Sequence, residues 1–100
     1  MKTETLRKYE LMIIVDAKLA NEEKETVRRE AIEIVTKAGG KIINSQTWLE
    51  KQKFSFVIKK CAEGTYYLIN FEGEGAVIGP IRSDLRLNER ILRFAVTKVD

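Results

Sequence analysis

Hydrophobic and polar residues alternate with a period of two in several stretches of the chain, which is the pattern of half-buried β-strands. This pattern predicts four strands, at Arg7–Asp16, Lys53–Lys59, Thr65–Glu72 and Ile91–Val99. The first of them is apolar on both faces, with Tyr9, Leu11, Ile13 and Val15 on one side and Met12 and Ile14 on the other. A strand of this kind is typical of the interior of a sheet. We therefore predict that the first and third strands are central.

Apolar residues at helical spacing predict two α-helices. In the first helix they are Val27, Ala31, Ile34, Val35 and Ala38. We expect this helix to have Asn21 as its N-cap and to stop at Gly39-Gly40. The second helix is expected within Gly73–Arg86, where apolar residues fall four apart at Val77, Ile81 and Leu85. Pro80 interrupts that pattern, so the helix either begins near Pro80 or is kinked there.

The stretch Lys41–Glu72 is predicted to form a long antiparallel hairpin. Its two strands are joined by Lys60–Gly64, a short connection that contains a glycine. Lysines recur along the hairpin, at Lys51, Lys53, Lys59 and Lys60. Lysine on an edge strand discourages pairing with other strands, and a lysine is also able to contact phosphate.

The predicted order of elements is strand, helix, strand, strand, helix, strand. With right-handed crossovers this order gives an α+β, ferredoxin-like βαββαβ fold, in which a four-stranded antiparallel sheet carries two helices on one face. We expect residues 1–100 to form a single domain, because no linker, repeat or low-complexity tract interrupts the pattern. Residues 1–6 are polar for the most part and are expected to fray.

The composition argues against catalysis and against a bound metal or cofactor. The chain has no histidine and one cysteine, Cys61, so it lacks the commonest general base and cannot build a zinc cluster. Carboxylates of the first helix are interleaved with lysine and arginine, which is typical of a solvated helix face. The glycines do not match a phosphate-binding loop. We expect no catalytic residue, no metal, no cofactor and no small-molecule substrate.

The sequence also bears on the compartment. No apolar run approaches membrane length, and the N-terminal residues lack the hydrophobic region of a signal peptide. The lone Cys61 fits a reducing environment. We therefore expect a cytoplasmic protein without membrane contact.

The formal net charge of +3 permits a polyanionic partner but is also common on soluble proteins. Arginines are concentrated in the second helix and the start of the last strand, at Arg82, Arg86, Arg90 and Arg93. Acidic residues are few between Gly75 and Asp100, and this local excess of positive charge favours RNA over mere solubility. A surplus of apolar residues on the sheet face away from the helices points to a protein partner or to self-association.

Several segments, taken in order, resemble one known family. Arg7-Lys8-Tyr9-Glu10 resembles the opening R-x-Y-E of the bacterial small-subunit ribosomal protein six family, and Lys53–Lys60 is similar to its R-x-L-A-Y-x-I-x-K stretch. Leu85-Arg86-Leu87 and Arg93–Lys98 are similar to its closing segment. The resemblance runs from Arg7 to Lys98, which is nearly the whole chain.

This resemblance implies a ferredoxin-like, non-catalytic constituent of the small ribosomal subunit in the cytoplasm. It implies binding to the central domain of 16S ribosomal RNA jointly with the eighteenth small-subunit protein, and a single long kinked strand over Lys41–Lys60. By position, four residues match basic positions of the family and are candidate RNA contacts: Arg7, Lys53, Arg86 and Arg93. Arg90 is a fifth candidate that lies in the arginine cluster without matching a family position.

Two other classes of function stay open on the residues alone. One is a small ligand-sensing module that dimerises on the same fold. The other is an acylphosphatase-like hydrolase, which would need a glycine-rich phosphate loop with an arginine after the first strand. The segment Asp16-Ala17-Lys18-Leu19 supplies neither feature.

Overall fold

The computed structural model describes residues 6–58 and 61–99, with side chains for all of these except 49–52, 54–58, 61 and 62. The elements follow the predicted order, with a short 3-10 turn at Gly75–Val77 before the second helix. They are β1 (Arg7–Asp16), α1 (Asn21–Lys37), β2 (Lys41–Ile58), β3 (Cys61–Gly73), α2 (Ile78–Arg86) and β4 (Ile91–Lys98). The predicted fraying of residues 1–6 lies, apart from Leu6, outside the described residues.

The four strands form one antiparallel sheet in the order β2-β3-β1-β4. β1 pairs with β3 over its whole length, from Arg7 opposite Gly73 to Asp16 opposite Gly64. On its other side β1 pairs with β4, with one irregularity between Ile14 and Val15. The first and third strands are therefore central, and the ferredoxin-like fold is confirmed.

One face of the sheet packs against both helices and forms the core. The side chains predicted for the same side of β3 are all buried there, at Tyr67, Ile69 and Phe71. From β1 the core takes Tyr9, Leu11, Ile13 and Val15, and from the helices it takes Val27, Ala31, Val35, Ile81 and Leu85. The residues of β3 that alternate with the buried set are half-buried, at Tyr66, Leu68 and Asn70. The opposite face, called the open face below, is covered by neither of the two helices in the described part of the chain.

The first helix begins differently from the prediction. Its N-cap is Ala20, in an extended conformation, and Asn21 is the first helical residue. The turn before the helix is complete by Leu19. The Asp16 side-chain Oδ1 accepts a hydrogen bond from the backbone N–H of Lys18 at 3.0 Å, and the Asp16 carbonyl oxygen accepts one from the N–H of Leu19 at 3.2 Å. The N–H of Ala20 donates to Glu23 Oε1 at 3.3 Å, so a carboxylate in the first turn takes the capping role predicted for Asn21.

The predicted stop of α1 is confirmed. Gly39 has φ = 107°, a left-handed conformation that side chains rarely adopt. Gly40 lies so close to the core that an added Cβ would come within 2.6 Å of Val35 Cγ1. The two glycines therefore have different roles. Gly39 allows the chain to turn, and Gly40 allows the backbone to pack closely against Val35.

The second helix begins near Pro80, as one of the two predicted alternatives had it. Pro80 is the third residue of α2 (Ile78–Arg86). In the first turn of a helix the backbone N–H groups lack intrahelical acceptors, so proline loses no hydrogen bond there. The kinked alternative is not what forms.

The hairpin connection is shorter than predicted. β3 begins at Cys61 rather than at Thr65, and the predicted loop residues 61–64 belong to the strand. The reason is pairing: Gly64 lies opposite both Asp16 of β1 and Gln52 of β2, and Glu63 lies opposite Lys53. β2 is one long strand to Ile58 with several register shifts. Lys59 and Lys60 lie outside the described residues.

A polar contact ties α1 to the edge of the sheet. Arg28 donates to Ser45 Oγ of β2 at 2.8 Å, and it forms an ion pair with Glu25 at 2.6 Å. The hydrogen bonds from Arg28 are the largest cause that lowers the pKa of Glu25 below its usual 4.5, and the positive charges of Arg28 and Arg29 act in the same direction.

Because the folded-state pKa of Glu25 is lowered, its contribution to stability is present above pH 4.5 and is lost as pH falls through the folded value. Glu25 is half exposed, so the contribution is small, about 0.3–0.5 kcal/mol. We expect Glu25→Gln to lower the free energy of unfolding by about that amount at pH 7 and to leave it unchanged in strong acid. Urea unfolding of both proteins across pH checks this, and an equal difference at every pH would contradict it.

The packing also predicts which leucines matter for folding. Leu11 is fully buried in β1, whereas Leu87, just after α2, is 78% exposed. We expect Leu11→Ala to lower the free energy of unfolding by about 2–5 kcal/mol, since it leaves a cavity in the core. The matched Leu87→Ala control is expected to change it by less than about 0.5 kcal/mol. Similar losses in denaturant unfolding of the two variants would mean that the core is misassigned.

Candidate nucleic-acid interface

Three arginines line one cleft between α2 and β4. They are Arg82, Arg86 and Arg93, and the cleft measures about 340 Å³. Its other lining residues are apolar: Leu85, Ile91, Leu92 and Phe94. The cleft is therefore a positively charged rim over an apolar floor.

The core determines where these arginines lie. Ile81 and Leu85 are buried, which fixes the inner face of α2. Arg82 and Arg86 each follow one of these residues, so they lie one helical turn apart on the exposed side. Arg93 comes from β4, an edge strand, where it is in register with Ile14. By that register Arg93 starts on the face of the sheet away from the helices, so it reaches the cleft around the β4 edge, whereas Arg82 and Arg86 line the cleft from the helix side.

The charge of this cleft suits a phosphate group. Among the described residues that line it, none carries a carboxylate. Guanidinium groups present planar donor pairs that match phosphate oxygens, and they stay charged at every physiological pH. Contacts of this kind position a nucleic acid without reading its bases.

Arg90, the fifth candidate, belongs to a different site. Its Nη2 donates to Glu30 at 3.3 Å, and Asn88 Nδ2 donates to the same carboxylate at 2.8 Å. The backbone N–H of Arg90 donates to Asn88 Oδ1 at 3.0 Å. These contacts join the turn before β4 to α1, so much of the charge of Arg90 is matched inside the protein.

The remaining two candidates lie apart from the cleft. Arg7 is half-buried at the far end of β1, opposite Gly73. It is seven residues from Ile14, the partner of Arg93, which is about 23 Å along a strand. Lys53 is exposed on β2. The register separates it from Arg93 by about 14 Å across the sheet and about 10 Å along it.

The structure therefore brings together Arg86 and Arg93, and not Arg7, Lys53 or Arg90. It adds Arg82, which belonged to the predicted arginine cluster but not to the predicted contacts. The signal was present in the sequence: Arg82 and Arg86 are four residues apart, each directly after a core residue of the predicted helix.

The open face of the sheet is a second candidate surface. Trp48 is 52% exposed there and contacts Tyr66 edge-on, with ring centroids 5.8 Å apart. Ile43 is 51% exposed and borders a small cavity of about 180 Å³ with Asn70 and Val99. The middle of the face is formed by half-buried Met12 and Leu68 and by exposed Ala95. Apolar side chains left accessible in this way are typical of a protein-binding surface.

Among the side chains that the structure describes, no group of three or more Cys, Asp or Glu is arranged to hold a metal ion. None of the helices in this part of the chain has the length and apolar character needed to cross a bilayer.

Comparison with known sequences gives a consistent result. The sequence profile described as Ribosomal protein S6 matches residues 8–98. The chain is 34% identical over 92 residues to the small ribosomal subunit protein bS6 of Synechococcus sp. (strain RCC307), which covers 92% of this chain and 67% of that one. It is 33% identical over 93 residues to the same protein of Micrococcus luteus, covering 93% and 91%. The matched region of the chain covers between 64% and 98% of the full length of the relatives compared.

Solved structures agree with the sequences. The crystal structure of 30S ribosomal protein S6 from Thermotoga maritima matches with a TM-score of 0.86 and 27% identity, over 95% of this chain and 89% of that one. The C-terminal domain of the MgtC protein from Mycobacterium tuberculosis matches with a TM-score of 0.65 and 11% identity, over 99% of this chain and 94% of that one, which shows a shared fold alone. Since the profile spans nearly all of the sequence and the relatives match over the same range, the chain belongs to the ribosomal protein S6 family.

Proposed function

We propose that this chain is a non-catalytic structural protein of the small ribosomal subunit that binds the central domain of 16S ribosomal RNA jointly with the eighteenth small-subunit protein. Family membership supports the ribosomal role. The cleft of Arg82, Arg86 and Arg93 is the observation that carries RNA binding.

The cleft is the centre of the RNA footprint. Its three arginines line one cleft at the β4 edge and offer guanidinium donors to successive phosphates of an RNA backbone that passes along this edge. Lys53 extends the footprint, because it lies where the β2–β3 hairpin continues beyond the paired end of β1 at Asp16. Arg7 contacts RNA only if the RNA also reaches the opposite end of the sheet.

The open face is the surface for the protein partner. It offers Met12, Leu68 and Ala95 in its middle and Ile43 and Trp48 toward the β2 edge. The arginine cleft lies at the other edge, along β4. Because the two surfaces meet along β4, one RNA–protein assembly is able to engage both at once.

An acylphosphatase-like activity is the rival from another class. The turn after β1 contains Asp16 and Lys18 and is closed by hydrogen bonds to Asp16, so it offers a carboxylate where a phosphate loop needs backbone donors. Absence of acyl phosphate turnover above the uncatalysed rate is the expected result. Turnover by the purified chain would overturn the non-catalytic assignment.

The cleft yields a prediction for RNA binding. Binding to a central-domain RNA fragment in the presence of the eighteenth protein should weaken as salt rises, since phosphate contacts release counterions. We expect Arg86→Ala with Arg93→Ala to lower the slope of log affinity against log salt by about 2, and Arg82→Ala alone to lower it by about 1. Filter binding or fluorescence anisotropy across a salt series measures these slopes.

Arg90→Ala is the matched control for this experiment. It removes a guanidinium group from the same region, but that group is paired with Glu30. We expect its salt slope to stay that of the native protein. The assignment of the cleft fails if Arg90→Ala lowers the slope as much as the double variant, or if the double variant unfolds more easily while its RNA affinity is intact.

The open face yields a prediction for the protein partner. Ala95 is exposed on β4, in register with Met12, so a lysine in its place leaves no cavity and puts a charge among apolar side chains. We expect Ala95→Lys to weaken binding to the eighteenth protein at least about tenfold, or about 1.4 kcal/mol. Isothermal titration calorimetry measures this affinity.

Ser83→Lys is the control with the same added charge. Ser83 is exposed on α2, on the helix side of the sheet. Its affinity for the eighteenth protein is expected to equal that of the native chain. If Ala95→Lys also binds normally, the open face is not the partner surface.

A further inference from the structure

We propose that Glu30 of α1 limits the RNA-binding surface by holding the guanidinium group of Arg90 against the helix layer, so that Arg90 stays out of reach of the RNA. Glu30 acts through Arg90 and is therefore a positioning residue that does not itself contact RNA. This inference rests on the RNA binding proposed above and names what bounds that surface.

The second helix separates two regions of opposite charge. Arg82 and Arg86 each follow a buried residue of α2, whereas Asp84 precedes one, Leu85. Successive residues of a helix are about 100° apart around its axis, so the two arginines and Asp84 lie on opposite flanks of α2. The arginine flank borders the cleft, which has no carboxylate among its described lining residues. The Asp84 flank borders a depression of about 470 Å³ between α1 and the end of α2.

This depression is acidic. Its lining carries four carboxylates and two cations, which are Glu30, Glu33, Asp84 and Glu89 against Lys37 and Arg90. An excess of negative charge repels a phosphate backbone and raises the free energy of any RNA path across α1. The RNA is therefore favoured on the arginine flank, and Arg90 is a cation at the border between the two regions.

Arg90 is close enough to the proposed RNA path to join it. It precedes Arg93 by three residues, so the two Cα atoms are at most about 11 Å apart. An RNA backbone that contacts Arg93 at the β4 edge passes within a similar distance of Arg90. Phosphate attracts every nearby cation without regard to sequence, so some interaction within the protein has to hold Arg90 back.

Contacts with α1 supply that interaction. Nη2 of Arg90 donates to both carboxylate oxygens of Glu30, at 3.4 Å and 3.3 Å. Oε1 of Glu30 also accepts a hydrogen bond from Asn88 Nδ2 at 2.8 Å. Asn88 in turn accepts from the backbone N–H of Arg90 at 3.0 Å, and its own N–H donates to the carbonyl of Leu85 at 3.1 Å. The network thus fixes the turn before β4 and directs the side chain of Arg90 toward α1.

The charge of Glu30 acts in two ways. The side chains of Arg90 and Glu30 are 40% and 38% exposed, and an ion pair with this exposure is weak by itself and screened by salt. The carboxylate also repels any phosphate that approaches Arg90, which adds to the effect of the pairing. Neutralising Glu30 removes both effects at once. The consequence is a gain of RNA contact, although the residue that is changed carries a negative charge on another helix.

The test uses the salt dependence of binding to the central-domain RNA fragment in the presence of the eighteenth protein. Glu30→Gln keeps the length of the side chain and an oxygen that accepts from Asn88, but it removes the charge. We expect it to steepen the slope of log affinity against log salt by about 1, as one added phosphate contact does. Glu30→Gln combined with Arg90→Ala is expected to return to the native slope. Since Arg90→Ala alone also has the native slope, this cycle assigns the gain to Arg90.

Glu33→Gln is the matched control. Glu33 lies three residues from Glu30 on α1 and lines the same depression, but the carboxylate that pairs with Arg90 is that of Glu30. Its variant loses the same charge and is expected to keep the native slope. The role of Glu30 is refuted by a native slope for Glu30→Gln, by equal steepening in Glu33→Gln, or by a steep slope that persists when Arg90 is also replaced.

A second measurement needs no variant. Modification of arginines by phenylglyoxal, read by mass spectrometry with and without RNA, reports which guanidinium groups the RNA covers. In the native complex we expect protection of Arg82, Arg86 and Arg93, and an unchanged rate at Arg90. In the complex of Glu30→Gln, Arg90 is expected to be protected as well. Protection of Arg90 in the native complex would overturn the inference, and this result decides the matter if Glu30→Gln fails to fold.

Failure of this inference is distinguishable from failure of the proposed function. Native RNA binding that weakens with salt, together with an unchanged slope for Glu30→Gln, overturns the role of Glu30 alone. Absence of salt-dependent RNA binding by the native chain overturns the RNA function and this inference with it.

Discussion

Burial of the helix-facing side chains of β1 and β3 is the interaction on which the other features of this molecule depend. Leu11, Ile13, Ile69 and Phe71 have no exposed surface. Their faces can be covered only by the two helices, which need the crossovers that give the βαββαβ order. Because both helices are used on one side, the other side of the sheet is left with Met12 of β1, Leu68 of β3 and Trp48 of β2 accessible. The surface proposed for the partner is thus a consequence of how the core is covered.

Much of this could be predicted from the sequence, because the deciding signals are local. The alternation of apolar and polar residues in β1 and β3 predicted which of their side chains are buried and that these two strands are central. The spacing of Ile81 and Leu85 predicted α2. What could not be predicted depends on contacts between distant residues. Residues 61–64 look like a loop, yet they pair because Gly64 meets β1 and β2 at once. Asn21 is a better capping residue than Ala20, but the hydrogen bonds of Asp16 fix where the turn ends.

The candidate site, too, was predicted where local sequence signals decide it and was not predicted where contacts between distant residues decide it. The arginine cluster is visible in the sequence, but the contacts of Arg90 separate it from Arg82, Arg86 and Arg93, which line one cleft. Arg90 is four residues from Arg86 and three from Arg93, and it still leaves the group, because Glu30 on α1 lies within 3.3 Å. Arg82 joins the group because the core fixes the rotation of α2. A count of basic residues therefore identifies the region, whereas only the packing identifies the residues that line one cleft.

The two edges of the sheet represent two solutions to the same physical problem. An edge strand exposes backbone donors and acceptors that must be left to water, covered or made unattractive to other strands. Along β4, Arg93 and Lys98 make the edge unattractive to a second strand, and Arg93 also lines the cleft proposed for phosphate, so one charge would serve folding specificity and binding. Along Ile42–Leu49 charges are absent from the sequence. An uncharged edge next to exposed Ile43 and Trp48 suits a surface that a protein covers, since charges there would have to be desolvated on each association. The distribution of charge is therefore itself an argument for RNA at the β4 edge and for protein along the uncharged segment Ile42–Leu49 of β2.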